Sequence, residues 1–114
     1  MLFMPVSGHA GPIAYQPQPN QIINSTHVLP DEVVITFTER PELKVSIIRV
    51  TDFNDTRIDN NDLKVGDSER VLTVTLNKSK LIFGDYTINW LVLSKDDGFI
   101  TKGSYVFSYT QDDN

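Results

Sequence analysis

The most informative part of the chain reads Gly84-Asp85-Tyr86-Thr87-Ile88-Asn89-Trp90-Leu91-Val92-Leu93-Ser94. Its aromatic and β-branched residues at alternate positions would share one face of a strand, because successive side chains of a strand point to opposite faces. Lys95-Asp96-Asp97-Gly98 follows at once, and Asp and Gly are typical turn residues. We therefore predict a long strand that ends in an acidic turn. We assign its Tyr86 and Trp90 to core packing, since large rings at alternate strand positions bury much area.

The same alternation recurs in shorter segments before and after this run. We predict half-buried strands around Val33, Ile35 and Phe37, around Leu43, Val45 and Ile47, around Leu72, Val74 and Leu76, and around Tyr105, Phe107 and Tyr109. Turn-forming Asn, Asp and Gly residues lie between these segments. No segment has the apolar spacing of a helix over about ten residues. Strands at this spacing predict an all-β fold, a sandwich or a barrel.

Two polar or proline-rich segments are predicted to lie outside the regular strands. Residues 10–30 contain four prolines and should be extended and irregular, with one short edge strand around Ile22. Asp59-Asn60-Asn61-Asp62 resembles half of a calcium loop, but it lacks the Gly and the distal Glu of an EF-hand. We interpret it as a solvated loop.

Length and charge limit the classes of protein to which the chain can belong. With 114 residues it should form one domain, large enough to fold without a metal or a disulfide. The net charge of −5 and the absence of a Lys/Arg block argue against nucleic-acid or anionic-membrane partners. Because the chain has no cysteine, it has no disulfide framework, no thiolate zinc site and no Cys nucleophile.

The first ten residues differ in character from the rest of the chain. They are similar to the end of a secretory signal, with small residues that suit a signal peptidase at either Val6-x-Gly8 or Gly8-x-Ala10, although a basic n-region is missing. We predict a residual signal peptide or flexible N-terminus over residues 1–10, a β-sandwich domain over residues 11–110 and a polar tail over residues 111–114. Three Asn-x-Ser/Thr sequons are consistent with export. No window has the about 18 apolar residues of a membrane span.

Catalytic signatures are missing from the sequence. It contains no Gly-x-Ser-x-Gly elbow, no His-Glu-x-x-His motif, no phosphate loop and no dinucleotide fingerprint. Asp96 and Asp97 are a poor acid–base pair, since neighbouring side chains on a strand or turn point apart. We predict that the protein is not an enzyme.

Four further segments, taken in order, carry a specific pattern: Pro19-Asn20; Leu29-Pro30-Asp31-Glu32-Val33-x-Ile35-Thr36-Phe37-Thr38-Glu39; Leu81-x-x-Gly84-x-Tyr86-Thr87-Ile88-x-Trp90-x-Val92-x-Ser94-x-Asp96; and Gly103-Ser104-Tyr105-x-Phe107. Together with His9-Ala10, they resemble the CopC family of extracytoplasmic copper-resistance proteins. The resemblance covers nearly the whole domain. It implies an Ig-like Greek-key β-sandwich of about seven strands.

The resemblance also implies a Cu(II) site, which this chain matches only in part. The implied ligands are the mature N-terminal amine and its imidazole, here His9, an Asp, a His two residues after that Asp and, in some members, a Glu, here Glu39. Counting forward from Trp90 makes the Asp Asp96 and puts Gly98 where His would be. Counting back from Gly103 makes it Asp97 and puts Phe99 there. Either way the second histidine is missing, and the Met-rich loop by which some members hold Cu(I) is absent.

The candidate metal ligands are thus His9, Glu39, Asp96 and Asp97. Cleavage after Gly8 would free an amine beside the His9 imidazole, and two nitrogens in one chelate suit Cu(II); cleavage after Ala10 would remove His9. His27 matches no ligand and is interpreted as a loop residue. Without the resemblance, Asp96-Asp97-Gly98 would be a plain hairpin turn, and Glu39 beside Arg40 a solvated strand end.

Two hypotheses about function remain. The first is an exported copper-binding domain for copper homeostasis or resistance, which acts alone or as the soluble portion of a larger copper-handling membrane protein. The alternative is an Ig-like interaction or structural domain that has lost the metal. His9, Glu39 and the acidic turn favour the first, and the missing histidine favours the second.

Overall fold

The computed structural model describes residues 9–25 and 31–111, and within these ranges the chain forms two packed β-sheets. Predictions that concern residues 1–8, His27 and residues 112–114 lie outside the described residues. The strands are β1 (Pro12–Gln16), β2 (Ile22–Asn24), β3 (Glu32–Phe37), β4 (Ile47–Thr51), β5 (Lys64–Val65), β6 (Val71–Thr75), β7 (Gly84–Leu93) and β8 (Ile100–Thr110).

The strands are shared equally between the two sheets. One sheet has the order β1-β3-β6-β5 with antiparallel neighbours, and the other has the order β2-β8-β7-β4. In the second sheet only β2 and β8 are parallel. The β7–β8 hairpin pairs ten residues on each strand, from Gly84 opposite Tyr109 to Leu93 opposite Ile100. The predicted all-β, Ig-like sandwich is confirmed, with eight strands rather than about seven.

The core lies between the sheets and is built from the alternation seen in the sequence. Tyr86, Ile88, Trp90 and Val92 of β7 are all buried, as we predicted, and so are the inward-facing residues of β3 and β6. The ring of Phe37 meets Trp90 edge-on across the core, with centroids 5.7 Å apart. On β8, a Cβ at Gly103 would lie 2.7 Å from the Trp90 ring, so this close approach requires glycine.

One predicted strand is wrong in position. Leu43–Val45 is a 3₁₀ turn, and the strand begins later, at Ile47. The side chain of Glu42 accepts a hydrogen bond from the Lys44 N–H at 3.4 Å and so caps the turn. The apolar alternation therefore runs in the other phase: Ile48 and Val50 are buried, and Ile47 is exposed.

The proline-rich segment contains more regular structure than expected. The short strand predicted around Ile22 is confirmed as β2, at the edge of its sheet. A second strand, β1, was not predicted. It pairs with β3 at the edge of the other sheet, an arrangement that tolerates the proline at its first residue.

The interpretation of Asp59-Asn60-Asn61-Asp62 as a solvated loop is wrong for its first residue. The Asp59 side chain is fully buried and accepts a hydrogen bond from the Val50 N–H at 2.7 Å. Arg57 Nε lies 2.9 Å from Asp59 Oδ1, which compensates the buried charge. Ile58 N–H donates to the Val50 carbonyl at 2.8 Å, so this segment covers the outer edge of β4.

Candidate metal centre

The acidic turn between β7 and β8 is organised by the hydroxyl of Ser94. Ser94 is 1% exposed, and its hydroxyl donates to Glu39 Oε1 at 2.6 Å. The same oxygen accepts from the main-chain N–H of Asp96 at 3.0 Å and of Asp97 at 3.3 Å. Gly98 closes the turn with a positive φ of 76°. The hairpin turn expected from Asp96-Asp97-Gly98 is therefore present. The hydrogen bonds to Ser94 fix the main chain that carries the two carboxylates.

Asp96 is directed towards Arg40. Arg40 Nη2 and Nε approach Asp96 Oδ1 at 2.6 and 3.1 Å, and the Arg40 main-chain N–H donates to Asp96 Oδ2 at 3.1 Å. The hydrogen bonds from Arg40 lower the pKa of Asp96, and the same contact raises the pKa of Arg40. Asp96 thus ties the turn to the chain just after β3.

Asp97 points the other way, towards the start of the described chain. Its Oδ2 lies 3.2 Å from Nδ1 of His9, a residue 88 positions away, and its Oδ1 accepts from the Phe99 N–H at 3.0 Å. Partial burial acts to raise the pKa of Asp97, but hydrogen bonds from Phe99, His9 and Ser94 outweigh it, so the pKa lies below its ordinary value. The opposite directions of Asp96 and Asp97 are those expected of neighbouring side chains.

The ring of Phe99 also packs against the His9 ring. The two ring centroids are 4.2 Å apart and the planes are tilted by 53°. Phe99 and the carboxylate of Asp97, two positions before it, thus both lie beside His9. Of the two alignments that the sequence left open, this geometry favours the one that pairs Asp97 with Phe99 over the one that pairs Asp96 with Gly98.

The four sequence-predicted ligands therefore divide into two groups. His9 and Asp97 are brought together, whereas Asp96 faces Arg40 and Glu39 faces the Ser94 hydroxyl. Within residues 9–25 and 31–111, no group of three or more His, Asp or Glu side chains is placed to hold a metal ion. The side chains that the turn brings together are one imidazole and one carboxylate.

The residues that hold these candidate ligands in place were not predicted from the sequence. Thr38 and Thr101 bind the main chain of residues 9–11, and Arg40 holds Asp96. Arg40 and Thr38 flank Glu39 in the sequence, but their partners lie far away along the chain. No local spacing could have identified these contacts.

The chain matches known proteins at two levels, the domain family and the solved structure. The family model of the CopC domain matches residues 15–110. A search of curated protein sequences found no match. None of the helices formed by the described residues is long and apolar enough to cross a membrane.

Two solved structures share the fold. CopC from Methylosinus trichosporium OB3b is 24% identical, with a TM-score of 0.75 over 93% of this chain and 98% of that one. PcoC, a methionine-rich copper resistance protein from Escherichia coli, is 17% identical, with a TM-score of 0.73 over 90% of this chain and 99% of that one.

Proposed function

Because the chain belongs to the CopC domain family, whose model matches residues 15–110, we propose that it binds Cu(II) in copper homeostasis or resistance and catalyses no reaction. The contact between His9 and Asp97 carries this proposal. These residues come from opposite ends of the sequence and meet at 3.2 Å. They are also two of the residues that the family resemblance implies as ligands.

The donor set that meets at this turn suits Cu(II) better than other common metals. Cu(II) prefers tetragonal nitrogen and oxygen ligands, and His9 with Asp97 offers one of each. If the mature chain begins at His9, its amine adds a second nitrogen in the same chelate. The chain has no thiolate, and its methionines are limited to Met1 and Met4, so soft ligands for Cu(I) are scarce.

We assign supporting roles to the other two candidate residues. Asp96 accepts three hydrogen bonds from Arg40, and Glu39 accepts one from the buried hydroxyl of Ser94. Both carboxylates therefore stabilise the turn that presents Asp97. In this assignment the copper ligands are His9 and Asp97, and Asp96 and Glu39 stabilise the turn without binding the ion.

The proposed location is outside the cytoplasm, in the periplasm or at the cell surface. Cleavage after Gly8 is the processing site that fits this function, because it frees the amine of His9. It also keeps Ala10, whose side chain is 0% exposed and belongs to the core of the sandwich. The mature chain would then begin with His9 and Ala10, followed directly by the proposed sandwich domain of residues 11–110.

The proposal is tested on the exported protein by measuring its N-terminal mass and titrating it with Cu(II). We expect a chain that begins at His9 and binds one Cu(II). His9→Ala should abolish uptake, since it removes the imidazole, and Asp97→Asn should weaken it.

Matched variants give the controls. His27→Ala should leave uptake intact, and Asp96→Asn should weaken it less than Asp97→Asn does. A chain that begins at Gly11 and shows no binding tighter than about 1 µM would refute the copper proposal. That result would favour the alternative, an Ig-like interaction or structural domain without metal. Equal loss in His9→Ala and His27→Ala would show that the site is misplaced.

A further inference from the structure

The main chain around His9 is fixed to both sheets by the hydroxyls of two threonines. The Thr38 hydroxyl donates to the His9 carbonyl at 3.0 Å and accepts from the Gly11 N–H at 3.0 Å. The Thr101 hydroxyl donates to the Ala10 carbonyl at 2.6 Å. Thr38 directly follows β3 and Thr101 belongs to β8, so one threonine comes from each sheet.

Two further contacts anchor the same three residues. The Thr38 main-chain N–H donates to the Gly11 carbonyl at 2.9 Å, and the side chain of Ala10 is fully buried in the core. Every main-chain carbonyl from His9 to Gly11 thus accepts a hydrogen bond from Thr38 or Thr101. The segment has a single defined path across the edge of the sandwich.

We propose that Thr38 and Thr101 are positioning residues, a threonine clamp that holds the His9 imidazole beside Asp97. The inference rests on the proposed function for its copper readout, whereas the clamp itself consists of hydrogen bonds within the chain. A flexible terminal histidine can chelate copper with its own nitrogens, but it must lose conformational freedom to share the ion with a carboxylate 88 residues away. The clamp holds the imidazole beside Asp97 before copper binds, so less conformational entropy is lost on binding.

The hydroxyls, rather than the shape of the threonines, are what this role requires. Valine has nearly the same shape as threonine and favours strands at least as well. Within the described part of the chain, the hydrogen bonds of both hydroxyls all go to residues 9–11. Replacement by valine therefore removes the hydroxyl hydrogen bonds of the clamp and keeps the side-chain shape at both positions, while the Thr38 N–H bond to Gly11 and the burial of Ala10 remain.

The first test measures the metal-free full-length chain by NMR. In the wild type, the ring current of Phe99 should displace the His9 ring proton shifts, because the centroids are 4.2 Å apart. In Thr38→Val/Thr101→Val these shifts should move towards the values of a flexible peptide. Thr38→Ser, which keeps the hydroxyl, should retain the wild-type shifts. The control is Thr36→Val on β3, where no side-chain hydrogen bond joins Thr36 to another described residue.

The second test titrates the exported protein with Cu(II) and records its EPR spectrum. The double variant should bind about tenfold more weakly, which corresponds to about 1.4 kcal/mol, and its spectrum should change as the Asp97 oxygen is lost. Asp97→Asn should then cause little further loss, since the clamp and Asp97 act through one contact. Thr38→Ser and Thr36→Val should bind as the wild type does.

The two tests separate the failure of the clamp from the failure of the copper proposal. Unchanged His9 shifts in the double variant would overturn the clamp, whatever copper does. A wild-type protein that takes up no copper would refute the proposed function, while the NMR comparison still decides the clamp. If the double variant does not fold, the two single variants decide it, each with a partial change in the same direction.

Discussion

A histidine at the position of Phe99 would place a second imidazole next to that of His9. The centroid of the Phe99 ring lies 4.2 Å from that of the His9 ring, and Asp97 Oδ2 lies 3.2 Å from His9 Nδ1. The side chain is 55% exposed, so it supports little of the core. At this position a substitution can change the ligand set without disturbing the packing.

Phe99→His should therefore strengthen Cu(II) binding. The variant adds an imidazole nitrogen beside His9 and Asp97, and imidazole is a good Cu(II) ligand. We expect at least about a tenfold lower dissociation constant, or about 1.4 kcal/mol, measured by competition titration.

Gly98→His provides the matched control for the alternative alignment. Residue 98 needs a positive φ of 76°, so this variant should strain the turn and gain no affinity. A gain in Gly98→His without one in Phe99→His would mean that Asp96, not Asp97, faces the metal.

The choice between Asp96 and Asp97 could not be made from the sequence for a physical reason. Both are acidic turn residues, and counting forward from Trp90 and back from Gly103 selects different ones. The partners that distinguish them, Arg40 and His9, lie 56 and 88 positions away. Residue types and spacing thus gave the candidates, and only the long-range contacts with Arg40 and His9 distinguish the two aspartates.

At the scale of the elements, β4 depends on a segment that is not itself a strand. One edge of β4 pairs with β7, and the other is covered by Arg57, Ile58 and Asp59. The apolar alternation predicted a strand here but in the wrong phase, because Leu43 and Val45 continue the pattern backwards into the 3₁₀ turn. Only the tertiary contacts show which phase is buried.

Asp59→Ala should destabilise the domain by about 3 kcal/mol. It leaves the buried Val50 N–H without an acceptor and Arg57 without its carboxylate. Urea unfolding followed by Trp90 fluorescence would measure the change. Asp55→Asn is the control, since Asp55 is exposed and asparagine tolerates its φ of 64°; it should change stability by less than about 0.5 kcal/mol. Equal effects of the two variants would show that Asp59 does not support the β4 edge.

For the molecule as a whole, the sequence pattern predicted the sandwich architecture well because burial between two sheets imposes a two-residue period. Four of the five predicted strands lie where the alternation placed them. The parallel pairing of β2 with β8 and the route of the first described residues across both sheets depend on contacts between distant segments. Periodicity within one segment carries no information about such pairings.

The charged and phenolic groups predict a plateau of stability between about pH 4 and pH 10. Asp62 and Asp96 have lowered pKa values, through hydrogen bonds from Thr75 and Arg40 respectively, so each stabilises the fold above its unfolded pKa. That stability is lost as the pH falls through the lowered folded values. Burial raises the pKa of Tyr86 and Tyr105, so their contribution is present below the unfolded value and lost as the pH rises.

Thermal unfolding between pH 2 and pH 11 would measure this profile. Asp96→Asn should flatten the acid side, and Tyr105→Phe should flatten the alkaline side. A profile that slopes through the neutral range in the wild type would contradict the assignment.

The two aspartates of the turn also have an evolutionary consequence. Asp96 holds the hairpin through Arg40, while Asp97 and residue 99 face His9 and take little part in the core. If the proposed function holds, a lineage can lose or regain a ligand at this turn one substitution at a time, while selection for the sandwich continues undisturbed. Descendants of one ancestral domain can then differ in metal affinity and still share a nearly identical scaffold.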